Sequence, residues 1–326
     1  MALKTDYKDY IPPSGGRKYK ITANSDGSSS VEDITQYQQV GDTWGAEDIN
    51  QVNKLVNGAV YPNLGTNTNF PDAINQRGKT TYTGDNTSPY CIDRWRISNG
   101  TTYTVGTFTL SAATYANRAC GMWQSNEMRA HQLSIGDDVT VSIYANGKLH
   151  TPTMKVIDRD LYDAFANVPA SYDCDDFEIV LCTYARDNTM YNLGIYPKKP
   201  LTVNYIKWEK GSVATPYVPK AFDDEFLECL RYFVGGVGIG SAGIVSGSTF
   251  RVLIPTPVPM RTAPSVTVKV ADNVVYNGTF KALNTTVSNI TRQRNGIHLH
   301  IGMAASGVNN YPGIAYGLQC DLSADL

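Results

Sequence analysis

Apolar and polar residues alternate with a period of two along much of the chain. In the segment DVTVSIYA (138–145), four apolar residues alternate with more polar neighbours, as in a half-buried antiparallel strand. The apolar positions are Val139, Val141, Ile143 and Ala145. Similar short patterns, separated by turns, occur in YTVGTFTL (103–110), DFEIVLCTYA (176–185) and LTVNYIKWEKG (201–211). Strands at this spacing predict a jelly-roll β-sandwich over residues 90–220.

A second β-rich region covers residues 235–326. Its strand patterns include TFRVLIPTP, PSVTVKVADN, GTFKALNTTVSNIT, GIHLHIGMAA and GIAYGLQCDLSADL, separated by Gly, Pro and Asn-Gly turns. These patterns predict a small C-terminal β-sandwich knob. Between the two β regions, FDDEFLECLRYF predicts a helical connector over residues 221–234, with Phe226, Leu227 and Leu230 on its buried side.

The first 60 residues have a different character, and residues 61–89 follow as a predicted Asn-, Thr-, Gly- and Pro-rich linker. Residues 1–40 are polar and interrupted by Pro and Gly, with one hairpin predicted around the turn at residues 26–30. We expect this hairpin to need a partner surface for stability.

One short helix is predicted in this N-terminal segment, beginning near Gly45 and ending at Gly58. Its narrow apolar stripe consists of Ile49, Val52, Leu55 and Val56. Two interpretations stay open. The stripes of several copies pack around a common axis, or the helix lies on a neighbouring sheet.

Composition narrows the range of partners. The 326 residues include 28 Lys and Arg against 30 Asp and Glu, a formal net charge of -2. This balance leaves no basic patch for a phosphate backbone, so nucleic acid is not an expected partner. No stretch of 18 apolar residues and no apolar signal-peptide core occur in the sequence, so neither membrane insertion nor export is expected. The six scattered cysteines are predicted to be reduced and mostly buried, although Cys174 and Cys182 could pair if adjacent strands bring them together.

Five sequence strings together resemble the fibre proteins of tailed bacteriophages. MALKTDYKDY (1–10) followed by VGDTWGAEDINQVN (40–53) resembles the N-terminus of fibre and appendage proteins from phages and prophages of Gram-positive bacteria. INQRGKTTYTG with YCIDRWRI (74–97) is similar to the opening of a jelly-roll module of tail fibres, and YIKWEKGSVATPYVPK (205–220) to its end. EFLECLRYF (225–233) resembles the connector to a C-terminal knob, and CDLSADL (320–326) the last strand of that knob. Their order along the chain is more specific than any one string.

This resemblance implies a non-enzymatic virion fibre or receptor-binding protein, usually a homotrimer. The N-terminal segment would attach to a phage tail, baseplate or capsid protein, and a carbohydrate-binding-like jelly roll would precede the knob and contact host-surface glycans. The protein would be made in the host cytoplasm and would reside in the virion, on tail or capsid. Two alternatives remain: a structural head-fibre or tail appendage without receptor binding, and, with less support, a glycan-degrading enzyme.

Local motifs give little support to cofactor binding or catalysis. The G-x-G-x-x-G string at residues 238–243 precedes a strand-like segment, whereas a dinucleotide loop opens a helix. No cofactor is therefore expected. The acidic cluster Asp173, Asp175, Asp176 and Glu178 is predicted to be a solvated loop, with calcium binding as the alternative. No nucleophile elbow or zinc-protease motif occurs, which favours binding over catalysis.

Exposed aromatic residues are the candidates for stacking on sugar rings. Trp95 and Trp208 lie within strand patterns and are predicted core residues, whereas Trp123 lies in a polar stretch and is a candidate glycan contact. Tyr276 and Tyr311 are further candidates, because they occupy turn-like positions in the predicted knob.

Two histidines form a candidate metal site. His298 and His300 would project from the same side of one strand, and three copies around an axis could bind a transition metal through them. The alternative is an ordinary polar strand face. His131 and His150 have no evident partners in the sequence and are predicted surface residues.

Overall fold

The computed structural model describes residues 11, 13–38, 49, 52, 62–115, 118–161, 167–184, 187–237, 242–270, 273–276, 279–293, 296–303, 308–315 and 318–324. The chain divides into two compact units, Met1–Tyr61 and Pro62–Leu326. About half of the residues lie in strands (51%), arranged in several sheets, which confirms the predicted mainly-β fold. Within the described ranges, no helix is long and apolar enough to cross a membrane.

The N-terminal unit contains the predicted hairpin. Its strands are β1 (Tyr19–Ala23) and β2 (Ser29–Asp33). The carboxylate of Asp26 accepts a hydrogen bond of 2.9 Å from the backbone N–H of Ser28 in the connecting turn. Ile21 and Val31 face each other across the pair and are 71% and 64% exposed. In the candidate helical stripe, Ile49 and Val52 are helical and Ile49 is 46% exposed, while Leu55 and Val56 lie outside the described residues.

Residues 62–220 form a two-sheet β-sandwich, here called the central sandwich. Its strands are β3 (Thr81–Thr83), β4 (Arg96–Ile97), β5 (Thr101–Thr104), β6 (Thr109–Ala112), β7 (Met122–Glu127), β8 (Asp138–Ala145), β9 (Lys148–His150), β10 (Thr153–Lys155), β11 (Tyr172–Asp173), β12 (Phe177–Tyr184), β13 (Asp187–Pro197) and β14 (Leu201–Lys210). One sheet has the order β10-β8-β14-β6-β5-β3, with β9 also paired to β8, and the other has the order β11-β12-β13-β7-β4. All these pairs are antiparallel.

Two tryptophans occupy the centre of the sandwich, as predicted. Trp95 and Trp208 are fully buried, and their rings meet edge to face at 6.3 Å. The indole N–H of Trp208 donates to the hydroxyl of Tyr191 at 2.9 Å, and that of Trp95 donates to the backbone carbonyl of Asn67 at 2.8 Å. Because both polar atoms are satisfied, the rings contribute their full apolar burial, and truncating either to alanine would cost about 3–5 kcal/mol.

The segment predicted as a linker is instead part of the folded sandwich. Phe70 is fully buried against Trp95, and β3 pairs with β5. Asn67 lies in the left-handed region (φ 59°), and its side chain bonds Ile74 N and O at 2.7 and 2.8 Å and Asp93 O at 2.8 Å. The linker prediction is therefore wrong for residues 62–89. Asparagine is typical of loops, but here the Asn67 side chain satisfies buried backbone groups.

The helix predicted after the sandwich is present as α1 (Phe222–Leu230). Its buried residues are Glu225, Cys229 and Leu230, and Phe226 is partly buried. Leu227, predicted on the buried side, is 44% exposed. The helix is therefore rotated relative to the predicted orientation, because Glu225 faces the central sandwich. The Glu225 carboxylate accepts a hydrogen bond of 2.6 Å from Asn67 N.

The C-terminal β region closes into a barrel. Its strands are β15 (Phe233–Val237), β16 (Ala242–Gly247), β17 (Thr249–Pro255), β18 (Ser265–Val270), β19 (Asn273–Tyr276), β20 (Thr279–Gln293), β21 (Gly296–Met303), β22 (Val308–Ala315) and β23 (Gln319–Ser323). Six of them form a closed barrel in the order β16-β17-β21-β20-β19-β22, and β15-β23-β18 form a three-stranded sheet. The sequence predicted a two-sheet knob here. The difference arises because β22 pairs with both β16 and β19 and thereby closes the sheet.

All six cysteines are free thiols, and five of them are buried, with Cys174 half-buried. Most of the cysteines are buried, as predicted, and Cys174 and Cys182 do not pair.

Candidate functional site

The outer face of the five-stranded sheet carries the candidate site. Along β7, Met122 points into the sandwich core and is fully buried, so its neighbour Trp123 points outward and is half-buried. On the adjacent strand β4, Ile97 is in the core and Arg96 is outward. Arg96 and Trp123 are direct cross-strand partners, so the two outward side chains lie side by side.

Part of this outer face is covered, because Ile157 and Val168 pack against Val180, Cys182 and Tyr196. Next to this cluster lies a cavity of about 350 Å³, here called the Trp123 cleft. Its volume is within the usual ~300–1,000 Å³ range of small-molecule sites. Its described lining residues are Thr87, Ser88, Arg96, Ser98, Arg118, Ala119, Trp123, Arg159, Tyr184, Asn192 and Tyr196.

Two glycines shape the interior of the cleft. Tyr196 is only 2% exposed, and burial raises the pKa of its hydroxyl well above the ordinary value. A side chain at Gly121 or Gly194 would collide with the Tyr196 ring. These glycines therefore let the ring lie against the sheet and leave room above it for a ligand.

Three arginines line the cleft. Arg96 donates to the backbone carbonyls of Ser88 at 2.9 Å and Thr87 at 3.2 Å, which holds its guanidinium 5.7 Å from the Trp123 ring centroid. Arg118 pairs with Glu178 at 2.8 Å, and Arg159 belongs to the 3-10 helix Arg159–Leu161. No Asp or Glu occurs among the described lining residues.

The cleft combines aromatic surface with polar side chains. Trp123 and Tyr184 present aromatic surface, and the arginines and Asn192 add polar groups, the combination that binds a hydroxyl-rich ring by stacking and hydrogen bonds. The described lining contains neither a histidine nor a carboxylate, so these residues provide no acid–base pair for cleaving a glycosidic bond.

Of the three predicted glycan contacts, only Trp123 lies in this cleft. Tyr276 is the last residue of β19 and pairs with Thr279 of β20. Tyr311 lies within β22 opposite Val245, so its predicted turn position is wrong. The side chains of both tyrosines lie outside what the structure describes, and both residues are on the barrel.

The predicted histidine pair projects from one side of β21. His298 and His300 are half-buried, with ring centroids 5.2 Å apart, while Leu299 between them is fully buried. The pKa of His300 is lowered by burial and by the neighbouring Arg251 and His298. Across the part of the chain that the structure describes, no cluster of three or more His, Cys, Asp or Glu could hold a metal ion. A metal at this pair would therefore need ligands beyond the described residues of one chain.

The other two histidines are not simple surface residues, contrary to the prediction. His131 Nδ1 lies 2.6 Å from the hydroxyl of Tyr191, and burial, with help from Arg94 and Lys220, lowers the pKa of His131 to about 4. His150 is 9% exposed and lies 2.9 Å from the hydroxyl of Tyr172. Neither contact could be predicted from the sequence, because each tyrosine lies on a strand far from its histidine along the chain.

The acidic cluster is neutralised by lysine and arginine. Asp173 pairs with Lys198, Asp176 pairs with Lys199 at 2.6 Å, and Glu178 pairs with Arg118. Asp173 and Glu178 lie in β11 and β12 and Glu178 is 9% exposed, so the prediction of a solvated loop is wrong for these two residues. Three of the four acids are paired with basic side chains rather than left as a set of carboxylates for calcium. The Gly-rich string at 238–243 leads into β16, a strand, and residues 238–241 lie outside the described residues.

A larger, more open groove of about 800 Å³ lies beside α1. Four of its charged residues have partners within the protein. Lys220 pairs with Glu228 at 2.7 Å, Arg261 pairs with Glu127 at 3.3 Å, and Arg292 donates to the carbonyl of Arg261 at 2.6 Å. The groove has no aromatic residue among its described lining, so it is a poorer site for a sugar ring.

Sequence reasoning did not single out Arg96, Arg118, Arg159 or Tyr184. Arg96 carried a usable signal, because it alternates with the core residues Trp95 and Ile97 and must point away from them. That Arg96 and Trp123 share an edge depends on strand pairing, which the sequence does not reveal.

Comparison with known proteins finds no matching family model, and no curated protein or solved structure matches the chain.

Proposed function

We propose that this chain is a fibre protein of a tailed bacteriophage that adheres to host-surface glycans through the Trp123 cleft, without catalysis. The observation that carries the proposal is the cleft itself, where Trp123, Tyr184 and three arginines surround an open cavity of about 350 Å³ on a β-sandwich. Residues 1–60 would attach the fibre to a tail, baseplate or capsid protein, and the protein would reside in the virion.

Weak individual sites suffice for such a fibre. A cleft of this size holds a ring or two of a glycan, and several copies on one fibre multiply the affinity by raising the effective concentration of sites. Adhesion therefore does not require one deep pocket.

Self-association as a homotrimer is part of the proposal, and the barrel exterior supports it. Ile244 and Leu253 are 48% and 51% exposed on the neighbouring strands β16 and β17, and Ile314 on β22 is 43% exposed. Ile244 pairs with Pro312, and Leu253 pairs with His298. Exposed aliphatic residues on adjoining strands form a surface that a second copy of the chain would cover.

The test of adhesion compares the full chain with its Trp123→Ala variant. Titration calorimetry with purified surface polysaccharide from a susceptible host should give binding that the substitution weakens at least about 30-fold, the effect of losing a central aromatic contact. Phe222→Ala, which removes a 61% exposed aromatic that does not line the cleft, serves as the control and should bind like the wild type. Equal binding by all three proteins, or none by any, contradicts the proposal.

Light scattering tests the oligomer. The 35.7 kDa chain should run with the mass of three copies, and Leu253→Asp should lower that mass because it places a charge on the covered surface. A monomeric wild-type protein would contradict the trimer.

A further inference from the structure

We propose that a second cavity, between the central sandwich and α1, binds a small molecule through an anionic group that pairs with the buried Arg94 and accepts a hydrogen bond from His131. This cavity, here called the Arg94 cavity, has a volume of about 380 Å³, within the usual ~300–1,000 Å³ range of small-molecule sites. Its described lining includes Leu64, Arg94, His131 and Tyr232 and shares no residue with that of the Trp123 cleft.

Arg94 is a buried cation without an acidic partner. It is 2% exposed, and its Nη2 donates to the backbone carbonyl of Ser125 at 2.7 Å and to the side-chain oxygen of Asn126 at 3.2 Å. Its Nε and Nη1 have no hydrogen-bond partner, and it takes part in no ion pair, among the residues that the structure describes. A charge removed from water without a counter-charge is destabilising, and an anion in the adjoining cavity would offset that penalty.

Hydrogen bonds deeper in the sandwich orient the ring of His131. The indole N–H of Trp208 donates to the hydroxyl of Tyr191 at 2.9 Å, and that hydroxyl lies 2.6 Å from His131 Nδ1. Tyr191 is fully buried, so we assign its hydroxyl proton to the bond with Nδ1, since a buried donor without an acceptor is unfavourable.

This assignment leaves His131 with one donor for a ligand. A neutral imidazole that accepts at Nδ1 carries its proton on Nε2. Because burial lowers the pKa of His131 to about 4, the ring is neutral at pH 7. His131 lines the cavity, and its Nε2 makes no hydrogen bond to the described residues.

Both carboxylates in the described lining have basic partners. Glu127 pairs with Arg261 at 3.3 Å, and Glu228 pairs with Lys220 at 2.7 Å. Glu228 also accepts a hydrogen bond of 3.0 Å from the hydroxyl of Thr66. A cationic ligand would therefore have to compete with bases that these acids already hold, whereas an anion would meet an arginine that has no acid of its own.

A further cation lies at the edge of the cavity. Arg231 follows the last residue of α1, is exposed and lines the cavity. It takes part in no ion pair among the described residues. A guanidinium presents its N–H donors in a planar fork that fits two oxygens of a phosphate or a carboxylate. Both arginines of this cavity therefore favour an oxyanion as the recognised group.

Titration calorimetry with simple ions tests the site and identifies the anion. The full chain is titrated at pH 7 and fixed ionic strength with inorganic phosphate, with acetate and with methylammonium. We expect saturable binding of phosphate or acetate, one ion per chain, with a dissociation constant of about 1 mM or lower. The anion that binds more tightly identifies the recognised group. Methylammonium should give no saturable binding.

Two variants locate the binding in the Arg94 cavity. Arg94→Met keeps the length of the side chain and removes its charge, and it should weaken anion binding at least about tenfold. Arg231→Gln changes an exposed residue, so it should fold like the wild type, and it should weaken binding about threefold or more. Arg251→Gln makes the same charge change at an exposed barrel position and should bind like the wild type.

Each outcome decides the proposal. Absence of saturable binding by both anions, or equal binding of methylammonium, would overturn it, as would anion binding that neither Arg94→Met nor Arg231→Gln weakens. If Arg94→Met does not fold, the comparison of Arg231→Gln with Arg251→Gln decides. Trp123→Ala should bind the anion like the wild type, because Trp123 is not among the described lining of this cavity.

Discussion

At the scale of single residues, the face of the strand from which a side chain projects decides whether it packs in the core or lines the cleft. Met122 and Trp123 are adjacent, yet the first is fully buried in the core and the second faces the cleft. The same alternation separates the buried Trp95 from Arg96. Substitutions at Trp95 should therefore destabilise the sandwich, whereas the side chains of Trp123 and Arg96 face the cleft.

His131 makes the folding stability of the protein depend on pH. Its imidazole contacts the Tyr191 hydroxyl and faces the cations Arg94 and Lys220 and the carboxylate Glu127. Its folded pKa of about 4 lies below the ordinary 6.5, so His131 contributes stability above pH 6.5 that is lost as the pH falls toward 4. The loss amounts to at most about 3 kcal/mol.

Urea unfolding at pH 7 and pH 4.5 measures this effect. The wild type should lose more stability between the two pH values than His131→Asn, which cannot take up the proton. Comparing the two proteins cancels the contribution of Glu225, whose pKa is raised by burial and which acts in the opposite direction. An identical pH dependence in both proteins would show that His131 does not carry the effect.

The sequence predicted the positions of single residues correctly where these depend only on burial in the core. Trp95 and Trp208 were identifiable as core from their apolar strand neighbours. The position of Trp123 was also suggested by its polar neighbours, but its partner Arg96 was not. A cross-strand pair depends on register between segments 27 residues apart, information that local periodicity does not contain.

At the scale of elements, α1 and the residues after it fasten the barrel to the central sandwich. The ring of Tyr232 lies 3.5 Å from the guanidinium carbon of Arg94. Arg94 is 2% exposed, and its Nε and Nη1 have no hydrogen-bond partner among the residues that the structure describes. Arg77 likewise lies 3.9 Å from the ring centroid of Phe233. Buried cation–π contacts of this kind are worth about 2 kcal/mol each.

Removing one ring tests this connection. Tyr232→Ala should lower the free energy of unfolding by about 2–4 kcal/mol, since it uncovers a buried charge as well as losing packing. Tyr232→Phe keeps the ring and should lose less than about 1 kcal/mol. Urea unfolding at one fixed protein concentration gives both values, and equal losses in the two variants would mean that the ring face does not stabilise Arg94.

Individual strands and the helix were more predictable than their assembly. The segments DVTVSIYA and GIHLHIG form β8 and β21, as predicted. Each combines alternation of apolar and polar residues with β-branched side chains. Closure of the barrel was not predictable, since it depends on long-range pairing of β22. The orientation of α1 was also missed, because the buried Glu225 is fixed by Asn67 rather than by apolar burial.

At the scale of the whole molecule, residues 62–326 form one compact unit that contains both the cleft and the barrel. In the proposed fibre, the barrel exterior would bury aliphatic residues between copies while each sandwich presents its own Trp123 cleft. Binding strength would then depend on the number of clefts in one particle as much as on any single cleft.

The most direct test of this account is a crystal structure of the full chain with an oligosaccharide cut from the host polysaccharide. The account predicts a sugar ring stacked on Trp123, with its polar groups within hydrogen-bonding distance of side chains that line the cleft. A sugar seated on the barrel, at Tyr276 or Tyr311, with an empty Trp123 cleft would contradict it.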